Sequence, residues 1–236
     1  MSLKRPLTDV LEGKESKQAM SRTMRGVPVP DGWSVVGDSL LFRDFGALGP
    51  EGAPGAPASE GRPRWAAFDF DGCLANTPLG GNDPTAWKMQ FPQVPSVLRD
   101  FHRAGFRIAI ITNESMDRLK KPEAIRNCIL KKTGRLVAFV REVGVPCVVL
   151  CSCAKDEYRK PAGGAWHVLM GLQGAGPPDM AHSFFVGDAA GRKKDHSDSD
   201  KAFAAGVGLR FYTETDFFTD GKSEEAMGAM RPAQTK

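Results

Sequence analysis

The chain has 236 residues, 41% hydrophobic and 25% charged, which is ordinary globular material and enough for one α/β domain with a full core. A net charge of +4 and a pI near 8.8 suit a polyanionic partner but are too small to identify one. No run approaches the ~18 apolar residues of a membrane span, and the N-terminus lacks an apolar segment followed by a small-residue cleavage site, which argues against membrane insertion and secretion.

Residues 1–30 read as a basic, solvated and disordered tail. The tail starts with Lys4-Arg5-Pro6, a short basic cluster of the kind found in nuclear signals, and its Asp9, Glu12 and Glu15 are uncharacteristic of a mitochondrial presequence. Trp33–Phe45 then forms two short apolar runs around Gly37-Asp38, a dipeptide suited to a tight turn, so a hairpin packed on the edge of the main domain is expected. Residues 49–63 are dominated by Gly, Pro and Ala and predict a flexible loop. From residue 65 to about 212 strand-like runs alternate with helical stretches. Strands are predicted over Trp65–Phe70, Arg107–Thr112, Pro146–Ser152, Ser183–Val186 and Val207–Tyr212. Helices are predicted over Pro95–Ala104, Pro122–Val143, Gly164–Leu172 and Asp198–Ala205, where apolar residues such as Val97, Leu98, Phe101 and Ile125, Ile129, Leu130 recur at helical spacing. This alternation predicts a Rossmann-like parallel sheet flanked by helices, within a domain spanning residues 31–220 and followed by a C-terminal tail at 221–236.

Ligands of such sheets bind at the carboxyl ends of the strands, and four of these ends are polar. The first carries Asp69-Phe70-Asp71-Gly72-Cys73, whose two carboxylates leave an extended segment on the same side. Crowded in this way, they make a natural host for a divalent cation. The second ends in Thr112-Asn113. The third leads to Tyr158-Arg159-Lys160-Pro161, and the fourth to Gly187-Asp188-Ala189-Ala190-Gly191-Arg192. Taken singly, Asp-Gly is more often a turn, Thr112 a helix cap and Lys160 a solvated cation. The five cysteines and four histidines show no zinc-ligand spacing, so reduced structural thiols are expected.

In this order, the four strand ends resemble those of the haloacid dehalogenase superfamily of phosphotransferases. More narrowly, residues Trp33 to Phe218 resemble the phosphatase domain of the polynucleotide kinase 3′-phosphatase family. That resemblance rests on Asp83-Pro84-Thr85-Ala86-Trp87, Ile111-Thr112-Asn113, Arg159-Lys160-Pro161, Phe185–Arg192 and Lys193-Lys194-Asp195-His196-Ser197. Two positions depart from the family pattern: Cys73 stands where a Thr is usual and Glu114 where a Gln is usual. The first implies altered loop packing and the second altered substrate contacts.

The resemblance implies catalytic roles for Asp69 (nucleophile), Asp71 (general acid/base), Thr112 and Lys160 (charge stabilisation). It also implies Mg²⁺ held by Asp69, Asp188 and the main-chain carbonyl of Asp71, with Asp195 and Asp200 as outer-shell candidates. The implied substrate is DNA bearing a 3′-phosphate at a strand break, contacted through Asn113, Arg118, Arg159 and Arg192. Trp87 is read as core in preference to a base-stacking platform. The connection over residues 73–95 is short, so no large cap domain is expected. No GxxxxGK(S/T) loop occurs and few residues follow Phe218, so no 5′-kinase activity is expected. A monomer in the nucleus is the reading that follows, with the mitochondrion or cytoplasm as alternatives. The rival readings are a sugar or metabolite phosphatase of the same superfamily and a DNA-end-binding module with a silent site.

Overall fold

The computed structural model describes residues 20–48, 62–78, 80–174 and 176–228. Most of the expected loop at 49–63, the first nineteen residues and the last eight lie outside them. An N-terminal group comprises β1 (Met20–Ser21), β2 (Thr23–Met24), β3 (Val27–Pro28), β4 (Ser34–Val36) and β5 (Leu40–Asp44). The sequence then runs through β6 (Arg64–Phe68), the small hairpin β7 (Ala75–Asn76) and β8 (Lys88–Met89), α1 (Val94–Arg103), β9 (Phe106–Asn113) and α2 (Pro122–Val143). It continues with β10 (Cys147–Ser152), α3 (Gly164–Leu172), β11 (Phe184–Gly187), α4 (Ser199–Val207), β12 (Arg210–Thr213), α5 (Glu214–Phe218) and α6 (Lys222–Gly228).

Eight strands form one sheet in the order β1-β4-β5-β10-β9-β6-β11-β12. The five from β10 to β12 are parallel, whereas β5, β4 and β1 extend the sheet antiparallel beyond β10. The β4–β5 hairpin thus joins the sheet edge, with Leu40 to Asp44 paired to Ser152 to Val148. Strand β9 is buried from Phe106 to Thr112, as expected of a central strand covered on both faces. The period-two alternation divides neighbouring residues between two cores. Phe184 stacks into a cluster with Phe68, Phe101, Phe106 and Phe217, while Phe185 faces Trp65, Trp166 and Phe203 on the other side.

The boundaries of α2 follow from its ends. Pro122 occupies its first turn, where a missing N–H does no harm, and Gly144 closes it at φ 69°, a conformation that favours glycine.

Three boundaries differ from the sequence reading. Residues 20–30 are folded rather than part of a tail, because Met24, Val27 and Val29 are buried within an otherwise polar segment. Arg25 donates to the carbonyls of Met116 (3.1 Å) and Leu119 (2.6 Å), fastening β2–β3 onto the loop after β9. At the other end, α6 continues the ordered chain past residue 220, with Ala226 buried. Finally, Val207 belongs to α4 rather than to the last strand, since Gly208 at φ 76° ends that helix first.

Candidate active site

The site is assembled where β6, β9, β10 and β11 end. Asp69 follows β6, is 6% exposed, and its N–H donates to the Val186 carbonyl at 2.8 Å. The chain must turn at Gly72, whose φ is 87° and whose position leaves no room for a side chain: a Cβ there would lie 2.6 Å from Asp188 Oδ2. Cys73 fills the buried position behind the turn, its thiol donating to the Val186 carbonyl at 3.5 Å. Burial, and next the nearby Asp69, push that thiol far above its usual value, so it stays neutral. Like the other four cysteines it is unpaired.

Lys160 arrives from the loop after β10. Asn113 holds that loop from both directions, its Nδ2 donating to the Lys160 carbonyl and its Oδ1 accepting from the Lys160 N–H, both at 3.1 Å. The Lys160 ammonium, itself buried, contacts Asp69 Oδ1 at 2.5 Å and Asp200 Oδ1 at 2.8 Å. Asp200 sits in the first turn of α4, is 2% exposed, and its second oxygen accepts from the Ala189 N–H at 3.0 Å. Asp69, Asp188 and Asp200 each present an oxygen within 4.8 Å of the others. Burial, first, and the neighbouring acids raise Asp69 from 3.8 to about 7 against the opposing effect of Lys160. Burial and then Asp200 raise Asp188 to about 6. Three convergent hard oxygens that repel one another are a donor set suited to a small divalent cation.

Asp71, two residues on from Asp69, has a different company. Its Oδ1 accepts from Thr77 Oγ1 at 2.6 Å, and its Oδ2 pairs with the ammonium of Lys132. Thr112 Oγ1 lies 3.5 Å from Oδ2 and 3.2 Å from Lys132 Nζ. Burial alone would raise the Asp71 carboxyl, but the Lys132 charge and the hydrogen bonds from Lys132 and Thr77 outweigh it and hold it below the usual carboxylate range. Lys132 and Thr77 were not singled out in the sequence. The signal for Lys132 was present: it stands on the buried stripe of α2 with Ile125, Cys128, Ile129 and Leu136, where an unpaired charge would be prohibitive.

A small cavity of about 90 Å³ is lined by Asp69, Asp71, Thr112, Asn113, Lys160, Asp188 and Asp200, together with His196. It opens into a cleft of about 770 Å³ bordered by Thr77, Glu114, Lys131, Arg135 and Arg159. A separate groove of about 730 Å³ between α1 and α6 contains none of these groups.

The remaining expected residues are placed variously. Arg159 borders the cleft and donates to the Glu114 carbonyl (3.2 Å) and Ser115 Oγ (3.1 Å). Arg118 is exposed and lines neither cavity. Arg192, expected to touch substrate, braces the loop after β11: it pairs with Asp195 and Glu214 and donates to the Asp188 carbonyl at 2.8 Å. Asp195, expected near the metal, caps the same loop by accepting from the N–H groups of Ala190 and Arg192 and is not one of the three clustered carboxylates. The side chain of Asp71 is likewise outside that cluster. Trp87 packs edge-on against Phe139 at 6.0 Å.

The sheet order, the flanking helices and the Asp-x-Asp-Gly turn define a haloacid dehalogenase-like phosphatase fold. A putative phosphatase of that type from Mesorhizobium loti superposes with a TM-score of 0.59 at 18% identity, over 88% of this chain and all of that one. The chain belongs to the polynucleotide kinase 3 phosphatase family, whose profile matches residues 64–218. Among its relatives, the polynucleotide 3′-phosphatase ZDP of Arabidopsis thaliana is 42% identical over 165 residues, 65% of this chain and 24% of that protein. The bifunctional polynucleotide phosphatase/kinase of Schizosaccharomyces pombe is 29% identical over 79% of this chain and 42% of that protein. An uncharacterised 20.8 kDa protein of Autographa californica nuclear polyhedrosis virus is 33% identical over 66% of this chain and 86% of that protein. The chain therefore spans less than half the length of the first two relatives.

Proposed function

We propose that the protein removes the 3′-phosphate from DNA strand breaks to leave a 3′-hydroxyl, a step of single-strand break and base excision repair. The observation that carries this reading is the convergence of Asp69, Asp71, Thr112, Lys160 and Asp188 on one cavity that opens to a wide, partly basic cleft, in a member of this family.

In the first displacement a carboxylate oxygen of Asp69 forms a bond to phosphorus while the bond to the sugar 3′-oxygen breaks. Asp71 gives its proton to that departing oxygen. In the second, Asp71 takes a proton from a water molecule as the water oxygen bonds to phosphorus, and the bond to Asp69 breaks to release inorganic phosphate. Lys160 and Thr112 stabilise charge on the transferring group, a role worth on the order of 2–4 kcal/mol per donor. Asp69 and Asp188, with Asp200 beside them and the Asp71 main-chain carbonyl implied by resemblance, would hold Mg²⁺, which would neutralise charge between the anionic nucleophile and the phosphate. A polymer end needs an open cleft, and among the described residues only the short β7–β8 hairpin lies between β6 and α1. A nuclear location and a monomeric state go with this reading; among the described residues no helix is long and apolar enough to cross a membrane.

The test offers the purified protein, with Mg²⁺, a nicked duplex carrying a 3′-phosphate, the matching 5′-phosphate and a panel of sugar phosphates. Preferred turnover of the 3′-phosphate is expected, and preferred turnover of a sugar phosphate would overturn the assignment. Asp69→Ala should abolish turnover while the protein keeps its circular dichroism spectrum.

A further inference from the structure

Lys132 is buried completely, and it does not line the cleft that Asp71 and Thr77 border. Its ammonium pairs with Asp71 Oδ2, lies 3.2 Å from Thr112 Oγ1 and 3.7 Å from Glu114 Oε2, and sits 5.3 Å from the centre of the Phe70 ring. Burying an ammonium is unfavourable, and an apolar residue of similar volume in such a place often gives an equal or more stable fold. The neighbouring positions on the same stripe, Cys128, Ile129 and Leu136, are apolar. A lysine here therefore needs a reason other than filling space.

The two oxygens of Asp71 supply one. Oδ2 faces Lys132, which can only donate hydrogen bonds, whereas Oδ1 faces the hydroxyl of Thr77, which can donate or accept. The ammonium thus fixes the rotation of the carboxyl and leaves Oδ1, beside the cleft-lining Thr77, as the oxygen able to carry and pass a proton.

We infer that Lys132 is a positioning residue, holding the Asp71 carboxyl in the orientation that protonates the departing sugar oxygen. The inference rests on the acid/base role given to Asp71 above. It has a consequence that a structural role lacks: dependence on Lys132 must follow the leaving group. A sugar alkoxide needs a proton as its bond to phosphorus breaks. A para-nitrophenolate leaves readily as the anion and needs none.

The experiment compares wild type, Lys132→Met, Lys132→Arg, Asp71→Asn and the Asp71→Asn/Lys132→Met double variant. Each is assayed with Mg²⁺ on a 3′-phosphorylated DNA and on para-nitrophenyl phosphate, at steady state and in the pre-steady-state burst, which reads release of the sugar or of nitrophenolate before the aspartyl-phosphate hydrolysis that uses Asp71 with either substrate. Lys132→Met is expected to lower kcat on DNA by on the order of 10–100-fold, part of the ~10²–10⁴-fold typical of general acid catalysis. Its KM for DNA and its burst release of nitrophenolate stay close to wild type. Lys132→Arg restores most of the loss, and the double variant is no slower on DNA than Asp71→Asn. Equal losses of burst release on both substrates, a rise in KM with kcat unchanged, or additive losses in the double variant overturn the inference.

The parent reading fails separately. If Asp71→Asn itself slows the burst release from both substrates equally, Asp71 is not the leaving-group acid. If Asp71→Asn discriminates and Lys132→Met does not, only the role of Lys132 falls. Retained burst release of nitrophenolate shows that a variant is folded, and should Lys132→Met not fold, Lys132→Gln carries the same comparison.

Discussion

Asp188→Asn isolates the repulsion stored in the carboxylate cluster. Burial, and then Asp200, lift the Asp188 carboxyl from 3.8 to about 6. At about 1.4 kcal/mol per pH unit this is about 3 kcal/mol against the ionised folded state. Asp188 is only partly buried, so solvent screening reduces the figure to on the order of 1–2 kcal/mol. An acid raised in the fold is no burden below its unfolded value. Its penalty grows as the pH climbs from about 4 through about 6 and is complete above that. Asparagine cannot ionise, so the metal-free variant should be more stable than the metal-free wild type at neutral pH, with the gap closing at acidic pH. Added Mg²⁺ should stabilise the wild type, which gains a ligand of its folded state alone, and should do little for Asp188→Asn, which also loses turnover. Urea denaturation after EDTA treatment, at acidic and neutral pH and with Mg²⁺ restored, measures each of these. A metal-free variant less stable than wild type at neutral pH, or an advantage independent of pH, would refute the reasoning.

Gly72→Ala forces a side chain into a backbone conformation that disfavours it by roughly 1–2 kcal/mol and presses a methyl group against Asp188. Lower thermal stability and a higher Mg²⁺ requirement are expected, and an unchanged Mg²⁺ titration would count against the placement of Asp188. Arg192→Ala should lower kcat and weaken the Mg²⁺ dependence by loosening the loop that carries Asp188; a raised KM for DNA with kcat intact would instead return Arg192 to the substrate. Glu114 lies 3.4 Å from Lys131 and 3.7 Å from Lys132, so Glu114→Gln removes a negative charge from the cleft wall. A lower KM for DNA with steeper salt dependence should follow, and kinetics identical to wild type at every ionic strength would show that this charge does not reach the substrate.

The order of strands and helices was legible because each central strand is a continuous apolar run and each long helix carries its own punctuation, as Pro122 and Gly144 do for α2. The strand-end rule brought Asp69, Asp71, Thr112, Asn113, Lys160 and Asp188 into one place before any distance was known, and the structure gathers all six around one cavity. Residues 20–30 escaped because three buried side chains scattered through polar sequence have no periodicity to detect. The contact of Lys132 with Asp71 spans 61 positions and depends on how α2 lies over the sheet, which no local pattern encodes. The hold of Arg192 on its own loop was not legible for a related reason: a basic residue beside a strand end looks the same in sequence whether or not it also pairs with Asp195 and Glu214.

Two aspartates two residues apart come to serve different ends because each is held by a different lysine from a different element. Lys160 shares itself between Asp69 and Asp200, too little to offset burial and three neighbouring acids, and Asp69 stays near 7. Lys132 gives Asp71 its closest contact, and Asp71 is held low. Without metal or substrate this is the reverse of what the reaction needs, since the nucleophile must be ionised and the acid protonated. In the proposed reaction the two charges that enter the cleft would correct both at once: a divalent cation among Asp69, Asp188 and Asp200 would favour the carboxylate of Asp69, and a phosphate dianion beside Asp71 would favour its protonated form. On the proposed roles the assignment of acid and nucleophile is therefore completed by what binds, and the free protein holds Asp69 in a less reactive state until the metal is present. The Asp188→Asn melts and the leaving-group comparison at Lys132 probe the two halves of this balance independently.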